Sequence, residues 1–155
     1  IYKGNYKRCV NKNKSVSRIV LESKAKKKHY KIFTAYQNAR HFNSDMSKMN
    51  FKNYKDMIEN SPVNTFLSEY SLNGRVIGLM LLDTQDDGLS SVYSFYDTNK
   101  ANMSIGKYMI IDSIILSKEM KLKYLYLGYS IKENLKMSYK LEFEPHQKYL
   151  NGNWI

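Results

Sequence analysis

The spacing of apolar positions changes several times along the chain, and each change marks an element. Residues 1–22 are mostly polar and read as irregular to extended, with Ser15 to Leu21 predicting a strand. Ser23 is placed to cap a helix running to about Phe42, in which Tyr30, Phe33, Ala35 and Tyr36 fall near helical spacing. A shorter helix over Phe51 to Ile58 stops before Ser61-Pro62, since the residue before a proline disfavours helical geometry. The apolar runs Thr65 to Tyr70 and Val76 to Leu82 flank Asn73-Gly74, a strong hairpin signal. Gln85-Asp86-Asp87-Gly88 turns the chain again into Ser90 to Tyr96, completing an antiparallel meander. Ser104 to Met120 is apolar nearly all round and predicts a buried helix. Tyr124 to Leu127 reads as a fifth strand, Glu133 to Leu141 as a last helix, and Pro145 as the end of the regular region.

This order predicts an α+β fold. It is the order of the N-acetyltransferase-like (GNAT) fold, a mixed sheet flanked by helices whose central strands splay into an acyl-donor cleft. Such an analogy fixes architecture and leaves chemistry open. At 155 residues and 43% hydrophobic, the chain predicts one domain over residues 1–155 with a real core. No apolar run approaches the roughly 20 residues of a membrane span. The single cysteine, Cys9, excludes an internal disulfide or a cysteine-clustered metal site, so no metal is expected and a cytoplasmic location is. Because the chain opens at Ile1 in a basic segment, it reads as a fragment lacking an upstream region.

Charge sharpens the picture. Of the net +11, residues 1–31 carry eleven Lys/Arg against Glu22 alone, or +10, leaving residues 32–155 almost neutral. A basic segment on a neutral body is the footprint of a nucleic-acid partner, with a solvated lysine-rich face as the alternative.

Between Asp87 and Lys140 lie seven of the 14 tyrosines, a density suited to a core that also lines a polar pocket. The same window holds Asp87-Gly88-Leu89-Ser90, Tyr93 to Asp97, Ser104 to Tyr108, Tyr126-Leu127-Gly128-Tyr129 and Lys136 to Lys140. With the tail Gly152-Asn153-Trp154, these segments resemble the C-terminal domain of the aminoacyl-tRNA–protein transferases, over roughly residues 5 to 155. That family comprises arginyltransferases and bacterial aspartate/glutamate leucyltransferases of the N-degron pathway. The resemblance implies transfer of an amino acid, leucine first and arginine as the alternative donor, from charged tRNA to proteins with N-terminal Asp or Glu. It also implies a cysteine-containing upstream domain and no cofactor beyond the aminoacyl-tRNA co-substrate. Ser130, Thr98 and Met103 stand where the family usually has an aromatic, a proline and an arginine.

Aminolysis of an activated ester needs a neutral amine, whose reference pKa is near ~8, and little push from a base. Positioning and oxyanion stabilisation should dominate, and no Ser–His–Asp or Cys–His pattern points to a covalent intermediate. Lys136 and Lys140, four apart on the predicted helix, would receive the acceptor carboxylate, beside Tyr93 and Tyr96. Tyr129 and Tyr139 would protonate the departing 3′ oxygen or fix the ester carbonyl, and Asp97 would orient the amine. Gly106 and Lys107 open the buried helix, where exposed N–H groups suit a phosphate. Lys7, Arg8, Lys12, Lys14 and Lys27 would follow the tRNA backbone. Packing tyrosines, a turn aspartate and solvated lysines are the plain alternatives at these positions. An acetyl-CoA-dependent acetyltransferase and a non-catalytic RNA-binding module are the rival functions.

Overall fold

The computed structural model describes residues 4–130 and 137–155. It opens with a helix, not the irregular segment the sequence predicts: α1 covers Gly4–Lys12. Its inner face is Tyr6, Cys9 and the following Asn13, all buried, while Lys7, Arg8 and Lys12 stay exposed. The Asn13 side-chain amide donates to the carbonyls of Cys9 (2.9 Å) and Met103 (2.7 Å), which makes a polar residue acceptable inside.

Strand β1 (Val16–Glu22) follows, then α2 (Lys27–Arg40). Ser23 does not cap α2. Its hydroxyl donates to the Ile58 carbonyl, and Lys26 occupies the cap position without a side-chain bond. Helix α3 (Phe51–Glu59) begins in a capping box between Asn50 and Asn53. Strands β2 (Thr65–Leu72) and β3 (Arg75–Thr84) form the predicted hairpin, with Asn73 and Gly74 at φ of 50° and 75°. Strand β4 (Gly88–Tyr96) completes the meander, and α4 (Ile105–Glu119) crosses over to β5 (Tyr124–Tyr126). Ser104 sits in the left-handed region and makes no side-chain cap.

The five strands lie in the order β1-β2-β3-β4-β5, antiparallel except for the parallel β4/β5 pair. Tyr70, Met80, Leu82 and Leu89 face α1 and α4, whereas Leu67, Leu79, Leu81 and Phe95 face α2 and α3. Helix α4 is buried over most of its surface, as its all-round apolar sequence predicts. Beyond Pro145, where regular structure was expected to end, β6 (Tyr149–Leu150) and β7 (Asn153–Trp154) form a second, two-stranded sheet.

Two features set the shape of the sheet near the site. Only Gly88, Leu89 and Ser90 of β4 pair with β5, so the two strands part after Ser90–Tyr126 while β4 runs on to Tyr96. Val92 is an extra residue in β4 relative to β3, and this bulge turns Tyr93 and Phe95 to the α2/α3 face.

At the paired end, Gly88 permits the close approach of β5. A Cβ there would lie 2.6 Å from the Tyr124 carbonyl oxygen and 3.0 Å from the Tyr126 ring. Backbone cannot yield as a side-chain tip can, so Gly88→Ala is expected to cost about 2–3 kcal/mol, within the usual range for overpacking. Urea unfolding followed by circular dichroism would measure it, and a loss under about 0.5 kcal/mol, ordinary for a neutral surface change, would refute the packing role.

Candidate functional site

The far end of β4, beyond its parting from β5, gathers tyrosines from three segments. The Tyr96 ring of β4 packs at a tilt against that of Tyr36 of α2, 5.0 Å between centroids, and the Gln37 side-chain amide donates to the Tyr93 hydroxyl at 2.5 Å. Tyr139 belongs to a 3-10 turn, Ser138–Glu142, close enough to Tyr96 and Tyr36 for the phenols to interact electrostatically. Burial, reinforced by Tyr96, raises the Tyr139 pKa. Burial likewise raises those of Tyr93 and Tyr36, with Tyr96 and Tyr93 adding to the shift at Tyr36. A phenol with a raised pKa keeps its proton at neutral pH and acts as a hydrogen-bond donor, not as a base.

Gly106 opens α4 directly against this cluster. A Cβ at Gly106 would stand 2.9 Å from the Tyr96 ring, so the glycine serves the close packing of α4 on Tyr96. Lys107, its neighbour, pairs with Glu142 at 2.6 Å and lies over the Tyr6 ring at 5.9 Å.

Lys140 ties two segments together. Its ammonium donates to the Tyr129 carbonyl at 2.7 Å, and burial lowers its pKa. The Tyr129 phenol itself is 89% exposed, on the loop that leaves β5. Asp97 closes β4, where its backbone N–H donates to the Ile77 carbonyl (2.8 Å) and its carboxylate accepts the Asn99 N–H (3.0 Å). Lys136 lies outside the described residues, as do residues 133–135, which open the helix expected over Glu133 to Leu141. The part described, Ser138–Glu142, is 3-10.

The site therefore brings together Tyr93, Tyr96, Tyr139 and Gly106, adds Tyr36 and Gln37, and holds the Lys140 ammonium against the Tyr129 backbone. Lys7, Arg8, Lys12, Lys14 and Lys27 lie exposed on α1, the turn after it and the start of α2. The sequence marks Tyr36 only as a helical position, and gives no sign of Gln37 at the site. Gln37 is 1% exposed, and nothing in a single sequence distinguishes a buried glutamine from a solvated one.

Of the cysteine and histidines, Cys9 and His29 are buried and His146 is exposed. Cys9 is buried, and burial raises its thiol pKa. His29 is fully buried against Glu69 at 2.5 Å, and burial lowers its pKa, so a neutral ring with its Nε2 proton on the carboxylate fits the site. His146 lies 2.9 Å from the Phe143 carbonyl through Nδ1, and His41 packs on Tyr36.

Comparison with solved structures gives the fold independently. A possible acetyltransferase from Clostridium difficile 630 superposes with a TM-score of 0.60 at 10% identity, covering 82% of this chain and 87% of its own. The chain thus has the GNAT-like fold.

Comparison of sequences goes further. An aspartate/glutamate leucyltransferase of Gluconacetobacter diazotrophicus is 37% identical over 149 residues, covering 96% of this chain and 57% of the relative. Its counterpart in Paramagnetospirillum magneticum is 38% identical over 133 residues, covering 85% and 54%. The chain spans little more than half the length of these relatives. The family described as "Arginine-tRNA-protein transferase, C terminus" matches residues 28–150, from the start of α2 through β6. With the parted β4/β5 pair and its tyrosine cluster already in place, this match assigns the chain to the arginine-tRNA-protein transferase family, as a C-terminal domain.

Proposed function

We propose that this chain is the acyl-transfer domain of an aminoacyl-tRNA–protein transferase that moves leucine from charged tRNA to the N-terminal Asp or Glu of acceptor proteins. The geometry that carries this reading is the opening between β4 and β5 with Tyr93, Tyr96 and Tyr139 gathered beside it. Leucine is preferred to arginine as donor because the relatives above bear the leucyltransferase name.

In this reading the acceptor's neutral α-amine attacks the ester carbonyl carbon. A C–N bond forms, the bond to the tRNA 3′ oxygen breaks, that oxygen takes up a proton and the nitrogen gives one up. Tyr139, protonated at neutral pH, is suited to supply the proton to the leaving oxygen or to hold the carbonyl oxygen. Asp97 would receive the amine through the carboxylate oxygen not used in its turn. Lys140, with Lys136, would hold the acceptor carboxylate. The exposed cations of α1 and the start of α2 would meet tRNA phosphates, giving salt-dependent affinity. Direct transfer accords with the burial of Cys9 and His29.

No helix among the described residues is long and apolar enough to cross a membrane. A cytoplasmic enzyme that marks proteins for N-degron degradation is the setting proposed.

The test offers an Asp-initiated peptide to the full-length protein with leucyl-tRNA, arginyl-tRNA and acetyl-CoA in competition, read by mass spectrometry. A leucine adduct is expected. An arginine adduct would change the donor, an acetyl adduct would leave the fold alone standing, and an unmodified peptide with tRNA bound would point to a binding module.

A further inference from the structure

One conspicuous surface lies outside the site just described. Tyr124 and Tyr126 alternate along β5 with Leu125, and it is Leu125 that packs toward α4 with the following Leu127. The two tyrosines therefore project from the opposite face of the sheet. The β6–β7 hairpin lays Trp154 on Tyr126 at 5.9 Å between ring centroids, and Tyr149 on Trp154 at 5.2 Å. With Tyr124 at 6.0 Å from Tyr126, four rings form one continuous row.

The hairpin end of this row is open to solvent, with Trp154 52% exposed and Tyr149 61%, while Tyr124 and Tyr126 are partly buried. Lys123 holds its ammonium 5.1 Å from the centre of the Tyr124 ring, and the exposed Lys148 precedes Tyr149. Beside Tyr126 lies an open depression of about 250 Å³ lined by Gln85, Asp87, Ser90 and Tyr126. The Tyr126 hydroxyl donates to both Asp87 carboxylate oxygens, at 2.9 and 3.0 Å, leaving each with further accepting capacity.

We infer that the ring row Tyr124–Tyr126–Trp154–Tyr149 is a stacking platform for unpaired nucleotides, and that its occupant is the single-stranded 3′ end of the donor RNA. Aromatic faces with cations at the rim are how single strands are held: each base has a π-face to stack, and lysines meet the phosphates. A chain of net charge +11 attracts such a polyanion. The Asp87 carboxylate adds a preference, since it accepts from the exocyclic amines of cytosine and adenine, whereas uracil has no exocyclic amine and offers only its ring N3–H. That the RNA is a charged tRNA rests on the function proposed above; the stacking itself does not.

Trp154 is the only tryptophan of these 155 residues, which makes the platform its own reporter. The full-length protein would be titrated with short single-stranded RNAs of the tRNA 3′ sequence, with uridine-only RNA of equal length, and with a blunt hairpin. Tryptophan emission would be followed, taking the Trp154→Phe protein as background. Saturable quenching by the tRNA 3′ sequence is expected, weaker with uridine RNA and absent with the blunt hairpin. Tyr149→Ala, a change at an exposed ring, should weaken binding about ten-fold. Several results would overturn the platform: equal quenching by the hairpin, no quenching at all, or unchanged binding after Tyr149→Ala. Equal binding of uridine RNA would remove Asp87 from it. Amino-acid transfer with Trp154 undisturbed would sink the platform and leave the proposed function standing, whereas quenching without transfer would do the reverse.

Discussion

Replacing Arg18 by alanine is expected to destabilise the fold by about 3–5 kcal/mol, the largest stability effect foreseen for any single change here. Arg18 lies on β1, and its Nε stands 2.7 Å from a carboxylate oxygen of Asp112 on α4. The second partner on that oxygen is the Tyr70 hydroxyl of β2, donating at 3.0 Å. An outer contact from Arg18 to Glu119 measures 2.8 Å. Asp112 is buried, and that burial raises its pKa while the adjacent Arg18 opposes the rise. Deleting the guanidinium leaves a buried carboxylate with only a phenol for company, which is the expensive way to break such a pair. The exposed Glu119 contact adds little, as surface pairs do.

The sign of the pH dependence follows. A carboxyl whose folded pKa lies above its unfolded value contributes stability that is full below the unfolded pKa and is lost as pH rises through the folded one. In Arg18→Ala the opposing cation is gone, so the Asp112 pKa should climb further and the variant should recover stability in mild acid relative to neutral pH. Urea midpoints taken across that range would register it. Replacing both partners at once by Met and Leu should restore much of the loss, because a packed apolar pair costs less than an orphaned charge. An Arg18→Ala protein within about 1 kcal/mol of the parent, the median range for exposed pairs, would mean that the pair is solvated and structurally idle.

That network was not legible in the sequence, and the reason is physical. Arg18 and Asp112 come from β1 and α4, and only the crossover that places α4 beneath the sheet brings them together. The hairpin at Asn73-Gly74, the meander and the buried α4 were legible, because each rests on local spacing and turn chemistry. Helix α1 was obscured by its charge: Tyr6, Cys9 and Asn13 lie on one face, but the third is polar and reads as surface until Met103 is seen to accept its amide. The terminal hairpin was missed differently, for Asn151-Gly152 carries the same turn signal as Asn73-Gly74 and was overshadowed by Pro145. At the site, Tyr93, Tyr96, Tyr139 and Gly106 lie in segments whose motifs stand out in the sequence, whereas their neighbours Tyr36 and Gln37 sit on α2, which holds no motif. The bulge at Val92, which sets the direction of Tyr93, leaves no trace in a run of strand-forming residues.

Lys140→Glu is expected to lower kcat/KM for Asp- or Glu-initiated peptides by about 100-fold or more while leaving tRNA affinity within about three-fold. Truncating or reversing one member of a partly buried charge pair typically costs 2–5 kcal/mol, and about 2.8 kcal/mol corresponds to 100-fold. Lys140 is half-buried in the turn that also carries Tyr139, and its ammonium uses one of three donors on the Tyr129 carbonyl. Two donors remain for an acceptor carboxylate arriving beside the tyrosine cluster. Burial lowers the Lys140 pKa, so its positive charge disappears at lower pH than for an exposed lysine. KM for acidic acceptors should accordingly rise with pH before any ordinary lysine titrates, and a peptide beginning with Asn, which has no carboxylate to lose, should show no such rise. Lys140→Gln separates the two duties of the side chain: it can still donate to the Tyr129 carbonyl but carries no charge. If Lys140→Gln retains full selectivity for Asp over Asn, the lysine merely ties the loop to the turn and the acceptor carboxylate is held elsewhere. If selectivity collapses while tRNA binding persists, the charge of Lys140 is what chooses an acidic N-terminus.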